Sequence, residues 1–179
     1  MVEMIVLKDR EEWLQHRNRI GGSDAAAIVG LNPYRSNVEL WQIKTGQMEQ
    51  EDISGKPYVK YGTEAEQHLR ELFKLDFPEY KVCYEENNMF LNDKYPFGHA
   101  SLDGWLVDAD GRKGVWECKT TNILQSMQKE KWKYRIPDNY YVQLLHYLLI
   151  TEFEFAVLKA QLKYDFDGEI FLQTRHYKI

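Results

Sequence analysis

A chain of 179 residues with 44% hydrophobic and 28% charged content carries enough apolar material for one globular core and too much for a disordered polymer. Lys plus Arg number 23 against 28 Asp plus Glu, and the net charge of −5 excludes a protein that coats nucleic acid indiscriminately, since that affinity comes mostly from neutralising phosphates; a local basic cleft stays compatible with it. Two cysteines, Cys83 and Cys118, lie far apart with no CxxC or Cys/His spacing, which excludes a zinc site and a four-cysteine iron–sulfur cluster.

Asp9 precedes a short periodic helix carrying Trp13 and Leu14. Ser23 is placed to cap a helix from Asp24 to Val29 that Gly30 ends, and the Asn32-Pro33-Tyr34 turn leads to Ser36 with Glu39 three residues on, a capping box whose helix Gly46 closes. The next helix is expected to begin at Thr63, with Ala65, Leu69, Leu72 and Phe73 on one apolar stripe. After Phe77-Pro78 the period changes to two. Strands are expected over Lys81 to Leu91, Phe97 to Asp108 and Gly114 to Lys119, in a meander whose last turn is Asp110-Gly111. Helical pattern returns from Thr121 to Lys133 and from Asp138 through Leu149, and the strands Phe153 to Tyr164 and Glu169 to Lys178 flank Asp167-Gly168. The order predicts an α/β (α+β) sandwich with a central mixed sheet. There is no repeat, linker or low-complexity tract, so residues 1–179 read as one domain. The longest apolar run, Leu144 to Ile150, is short of the ~20 residues that cross a bilayer, and the N-terminus carries no export signal, which predicts a cytosolic protein without a membrane partner.

The segment Val115-Trp116-Glu117-Cys118-Lys119 holds the most chemistry. On a strand, residues i and i+2 share a face, so Glu117 and Lys119 point one way and Trp116 and Cys118 the other. Alternating charge is equally the pattern of a half-solvated strand, and the triplet alone does not decide. Upstream, Asp103 in Leu102-Asp103-Gly104-Trp105 is placed in the middle of another strand, with Gly104 as a bulge that re-aims it. Neighbouring antiparallel strands then bring Asp103 and Glu117 together, and two close carboxylates with hard oxygen donors call for Mg²⁺ or Mn²⁺ between them. Glu66 fits a capping box with Thr63 and also borders the buried stripe of its helix, where it faces the sheet. Gln143, in Tyr140-Tyr141-Val142-Gln143, has the chemistry to steady a water or phosphate, while His146 reads as structural. Lys129 to Arg135 interleaves four cations with Trp132 and Tyr134, a pattern suited to phosphates and unstacked bases and also to a solvated helix face. Arg17 and Arg19 precede a glycine turn and a helix start, where backbone N–H groups favour an anion.

The ordered series Ile20-Gly21-Gly22-Ser23-Asp24-Ala25-Ala26, Leu31-Asn32-Pro33-Tyr34, Glu39-Leu40-Trp41, Lys44-Thr45-Gly46, Gly62-Thr63 with Glu66, Leu102-Asp103-Gly104, Glu117-Cys118-Lys119 and Gln143 with His146-Tyr147 resembles the YqaJ-like viral recombinase family. These are phage alkaline exonucleases similar to lambda exonuclease, within the PD-(D/E)xK nuclease superfamily, and the match runs from about Trp13 to Thr151. The resemblance implies a restriction-endonuclease-like core and a Mg²⁺-dependent exonuclease degrading linear double-stranded DNA from its 5′ ends. It implies further that Asp103, Glu117 and the Cys118 carbonyl bind the metal, that Glu66 acts directly or through a water, that Lys119 orients the attacking water and that Gln143 supports them. Arg17 and Ser23 become candidates for the terminal 5′-phosphate, and Lys131, Lys133, Arg135 and Tyr140 for the DNA strand. A homotrimer, a single-strand-annealing partner and a phage or prophage setting in a bacterial host follow by the same analogy. Leu145 departs from relatives that carry a second polar residue after the helix glutamine. The competing readings are an endonuclease of the same superfamily, a DNA-end-binding module with a decayed site, and a glycosidase built on paired carboxylates, which a lysine beside the acid disfavours.

Overall fold

Every third or fourth residue of the long helix and nearly every residue of the central strand is apolar or buried, and the two patterns meet in one core. The computed structural model describes residues 1–124 and 126–179. Its elements run β1 (Val2–Val6), α1 (Arg10–Gln15), α2 (Gly22–Ile28), α3 (Asn37–Lys44), α4 (Pro57–Asp76), β2 (Lys81–Cys83), β3 (Asn88–Asn92), β4 (Gly104–Val107), β5 (Lys113–Ile123), α5 (Ser126–Lys131), α6 (Asp138–Thr151), β6 (Phe155–Phe166) and β7 (Glu169–Lys178). They fall into two units, one built from Met1–Glu51, Tyr84–Leu102 and Asp138–Glu154, the other from Asp52–Cys83, Asp103–Pro137 and Phe155–Ile179.

The second unit is a five-stranded sheet in the order β2-β4-β5-β6-β7. The β5–β6 pair is parallel and the other pairs are antiparallel, so the sheet is mixed. Leu69 and Phe73 of α4 pack on Leu106, Trp116, Cys118, Phe155 and Val157. Phe73 and Trp116 are almost wholly buried, each contributing about 2–3 kcal/mol of apolar burial. As a central strand, β5 is buried on both faces, so Glu117 is enclosed rather than half solvated.

The first unit pairs β1 with β3 and lays α2 against α6. The small residues of α2 permit the approach: Ala25, Ala26 and Ala27 are buried, and a Cβ at Gly22 would lie 2.3 Å from the Tyr147 ring.

Several expectations are corrected. β1 was not foreseen, and the expected strand Lys81 to Leu91 is two strands in different sheets, broken at Asn87, whose φ is 53°, and Asn88, whose amide bonds the Glu85 carbonyl. The meander holds for β2, β4 and β5 only. Phe97 to Ser101 forms isolated bridges, Ile20 with Gly98 and Phe90 with Ala100, and only Gly104 to Val107 is strand. Asp103 therefore precedes the strand, and Gly104 is no bulge: it pairs regularly with Trp116, and a Cβ there would approach the Cys83 carbonyl to 3.1 Å. α4 begins six residues before Thr63, with Pro57 in its first turn and Lys56 at the N-cap, so Thr63 is interior and caps nothing. α2 starts at Gly22, and the Asp24 carboxylate, not Ser23, holds its entry by accepting the Gly21 N–H at 3.1 Å. The sheet, not a helix, claims Thr121 to Ile123, and of the helix expected to reach Lys133 only α5 forms; Gln125 lies outside the described residues.

Candidate active site

With β4 and β5 antiparallel and Gly104 opposite Trp116, the residue before Gly104 falls beside Glu117 and Cys118. Asp103 Oδ2 accepts the Cys118 N–H at 3.0 Å. Lys119 Nζ donates to Glu117 Oε1 at 2.5 Å, the pairing that i, i+2 spacing on a strand dictates. Glu66 joins from α4: Arg70 Nη1 lies 3.3 Å from Glu66 Oε1 and donates to the Asp103 carbonyl at 2.7 Å. Arg70 was not singled out in the sequence, although its position one turn after Glu66 was the available signal.

The electrostatics of the cluster follow from burial and like charge. Glu117 is 2% exposed, and burial, then the charge of Asp103, push its carboxyl up to about 8 against the pull of Lys119. Burial, then Asp103, push Glu66 up to about 7 against Arg70. Burial also raises the Cys118 thiol well above its ordinary value, so Cys118 is not a nucleophile. Acids that hold one another protonated form an environment that a divalent cation relieves, and the carboxylates of Asp103 and Glu117 are hard donors suited to one. Among the described residues no three His, Cys, Asp or Glu side chains are drawn into a closed metal cage. One oxygen of each of the three carboxylates is instead engaged by a donor of the chain itself: Glu66 by Arg70, Asp103 by the Cys118 N–H, Glu117 by Lys119.

The first unit holds the other candidates. Arg17 Nη2 lies 3.5 Å from Ser23 Oγ, and its guanidinium lies over the Trp13 ring at 4.6 Å, with burial lowering its pKa. Lys44 Nζ binds the carbonyls of Arg17 and Arg19 at 2.9 and 2.8 Å and the buried Asp24 carboxylate at 2.8 Å, tying the Arg17 turn to α3. Gln143 is buried on α6, donating to Tyr147 Oη at 2.8 Å, and Tyr140 is half-buried one turn earlier. His146 Nε2 bonds the His99 carbonyl at 2.9 Å, a structural contact. In the second unit Lys131 ends α5 and Lys133 and Arg135 follow it; Trp132, expected to stack on bases, is instead buried, whereas Tyr134 is 88% exposed.

The ordered motifs and the cluster on β4, β5 and α4 agree with a comparison of families: the model of the YqaJ-like viral recombinase domain matches residues 12–154. The chain belongs to the YqaJ-like viral recombinase family. The uncharacterized protein YqaJ of Bacillus subtilis (strain 168) is 34% identical over 140 residues, which are 78% of this chain and 41% of that relative, so the chain spans less than half of its length. Among solved structures, the alkaline exonuclease LHK-Exo from Laribacter hongkongensis is similar at 18% identity and a TM-score of 0.63, over 93% of this chain and 81% of that one. LHK-Exo in complex with dAMP is similar at 20% identity and a TM-score of 0.63, over 93% and 82%. These likenesses establish the fold as the restriction-endonuclease-like core, with a mixed sheet flanked by helices. The family match covers Glu66, Asp103, Glu117, Cys118, Lys119 and Gln143, and it stops before β6 and β7.

Proposed function

We propose that this chain is a divalent-metal-dependent nuclease, and within that class a Mg²⁺-dependent exonuclease degrading linear double-stranded DNA 5′ to 3′. The observation that carries the reading is one enclosed carboxylate, Glu117, loaded with the charge of Asp103 and held 2.5 Å from Lys119, with Glu66 on the facing helix. Membership of the YqaJ-like family and a fold shared with an alkaline exonuclease support it.

Asp103, Glu117 and the Cys118 carbonyl are the groups to hold the ion, with Glu66 acting directly or through a water. When bound, a divalent ion supplies Lewis-acid stabilisation of charge on the scissile phosphate and a lowered pKa for attacking water. Lys119, fixed by Glu117, orients that water and stabilises the developing negative charge. Gln143 completes the catalytic set on the family resemblance. Arg17 and Ser23 take the terminal 5′-phosphate, and Lys131, Lys133, Arg135 and Tyr140 take the strand. The setting proposed is a phage or prophage protein in the bacterial cytoplasm, a homotrimer working with a single-strand-annealing recombinase; among the described residues no helix is long and apolar enough to cross a membrane.

The test is a time course on linear duplex with 5′-phosphoryl or 5′-hydroxyl ends, with Mg²⁺, Mn²⁺ or EDTA, beside a covalently closed plasmid. Nucleotide release from the linear form alone, faster from phosphorylated ends and abolished by EDTA, is the expected result. Cutting of the closed plasmid makes the protein an endonuclease, and end binding without release makes it a binding module.

A further inference from the structure

We propose that Arg175 and Tyr177 are positioning residues that hold the basic segment around Lys133 in the posture in which it grips a nucleic-acid strand. The inference rests on the nucleic-acid substrate proposed above and adds residues outside the stretch matched by the family.

β7 pairs with β6 over ten residues, from Glu169 opposite Phe166 to Lys178 opposite Val157, so Arg175 and Tyr177, two apart, share one face of a firmly registered strand. Arg175 Nη1 donates to the carbonyls of Trp132 and Lys133 at 2.6 and 2.7 Å, and Tyr177 Oη donates to the Trp132 carbonyl as well. The Trp132 and Tyr177 rings are 6.1 Å apart, and Trp132 is 3% exposed. Trp132 is thus an anchor, its indole buried and its carbonyl carrying two donors. The segment needs one: α5 has six residues, too few to be stable alone, and no regular hydrogen-bond ladder follows it. A cation on the carbonyls just beyond α5 also suits the negative end of that helix. Lys129 adds a further brace, its Nζ lying 5.5 Å over the Tyr164 ring.

The clamp turns the opposite side of the segment to solvent. Tyr134 is 88% exposed, with Lys133 Nζ 5.7 Å from its ring. Lys129, Lys131, Lys133 and Arg135 stand against Glu130 alone, in a chain whose net charge is −5. Concentrated cations beside an exposed ring suit a single strand, phosphates on the cations and an unstacked base on the ring. Arg175 does not belong to that gripping surface: its Nη1 is spent on the two carbonyls, and its Nε is buried. It acts through Trp132 and Lys133.

The experiment compares wild type with Arg175→Met, Arg175→Lys, Tyr177→Phe, Lys133→Ala and Arg175→Met/Lys133→Ala. The readouts are KM and kcat on linear duplex, and Kd for a fluorescent single-stranded oligonucleotide without divalent ion. Arg175→Met is expected to raise KM and Kd about tenfold, the worth of charge-assisted hydrogen bonds, with kcat within about twofold. Arg175→Lys recovers part of the loss. Lys133→Ala weakens binding in the wild-type background and much less in the Arg175→Met background, because a released segment no longer presents Lys133. An unchanged Kd in Arg175→Met, or strict additivity with Lys133→Ala, overturns the proposal. Where Arg175→Met fails to fold, as judged by circular dichroism, Tyr177→Phe carries the test with an expected rise of about threefold. A wild type that releases no nucleotides overturns the nuclease reading, and the oligonucleotide Kd still judges the clamp.

Discussion

Glu117 is enclosed in the sheet with its carboxyl pushed up to about 8, and Asp103 is held by the next strand's backbone, so their cost to the fold is accepted where their chemistry is needed. Asp103→Asn and Glu117→Gln are each predicted to lower the rate of nucleotide release by about 10²–10³-fold, while the urea midpoint stays close to that of wild type. His99 gives a pH prediction independent of the acids. Burial, then the cations Arg17 and Lys44, lower its pKa to about 4 from the ordinary 6.5. The folded state therefore resists protonation that the unfolded chain accepts. The stability this group contributes is complete above about 6.5 and is lost as pH falls from there toward 4, up to about 3 kcal/mol. The raised carboxyls Glu66 and Glu117 act in the opposite sense, stabilising as pH falls from about 7 and about 8. Urea unfolding at pH 7 and 4.5 is predicted to show a smaller loss in His99→Gln than in wild type. The pairing of Glu117 with Lys119 was legible from strand period alone, since side chains two apart cannot leave one face. The reach of Arg70 to the Asp103 carbonyl was not, because it links residues 33 apart in the chain.

At the scale of elements, local signals succeeded where they were complete and failed where two competed. Ser36 and Glu39 satisfy each other's backbone donors and start α3 as read. Thr63 and Glu66 have the same spacing, yet Pro57 had already opened α4, and Glu66 is turned to Arg70 instead. The two sites are predicted to part on mutation: Ser36→Ala costs about 1 kcal/mol, whereas Thr63→Ala changes stability by less than about 0.5 kcal/mol, both read by urea titration. Two glycines mark close approach. A Cβ at Gly22 would meet the Tyr147 ring at 2.3 Å and one at Gly114 the Phe155 ring at 2.2 Å. Gly22→Ala and Gly114→Ala are each predicted to destabilise by about 1–3 kcal/mol, in contrast to Gly55→Ala, where the space is open.

For the whole molecule, a divalent ion is predicted to act as a folding ligand. At a hundredfold excess over its Kd it adds about 2.7 kcal/mol of stability. The gain is larger at pH 8.5 than at 6.5, because Glu117 and Glu66 release protons to bind it. Thermal unfolding with Mg²⁺ and with EDTA measures the difference, and Glu117→Gln removes it. The sequence by itself determined the α/β class, the strand that carries Glu117 and Lys119, the turns at Asp110-Gly111 and Asp167-Gly168, and the family, because side-chain period, turn chemistry and motif order are local properties of the chain. Only the tertiary structure decided that β3 leaves its expected neighbours to pair with β1, that Trp132 is an anchor rather than a stacking surface, and that Arg70, Arg175 and Tyr177 hold distant backbone in place. Those outcomes depend on which surfaces meet once the chain has folded back on itself, and no window of neighbouring residues contains both partners.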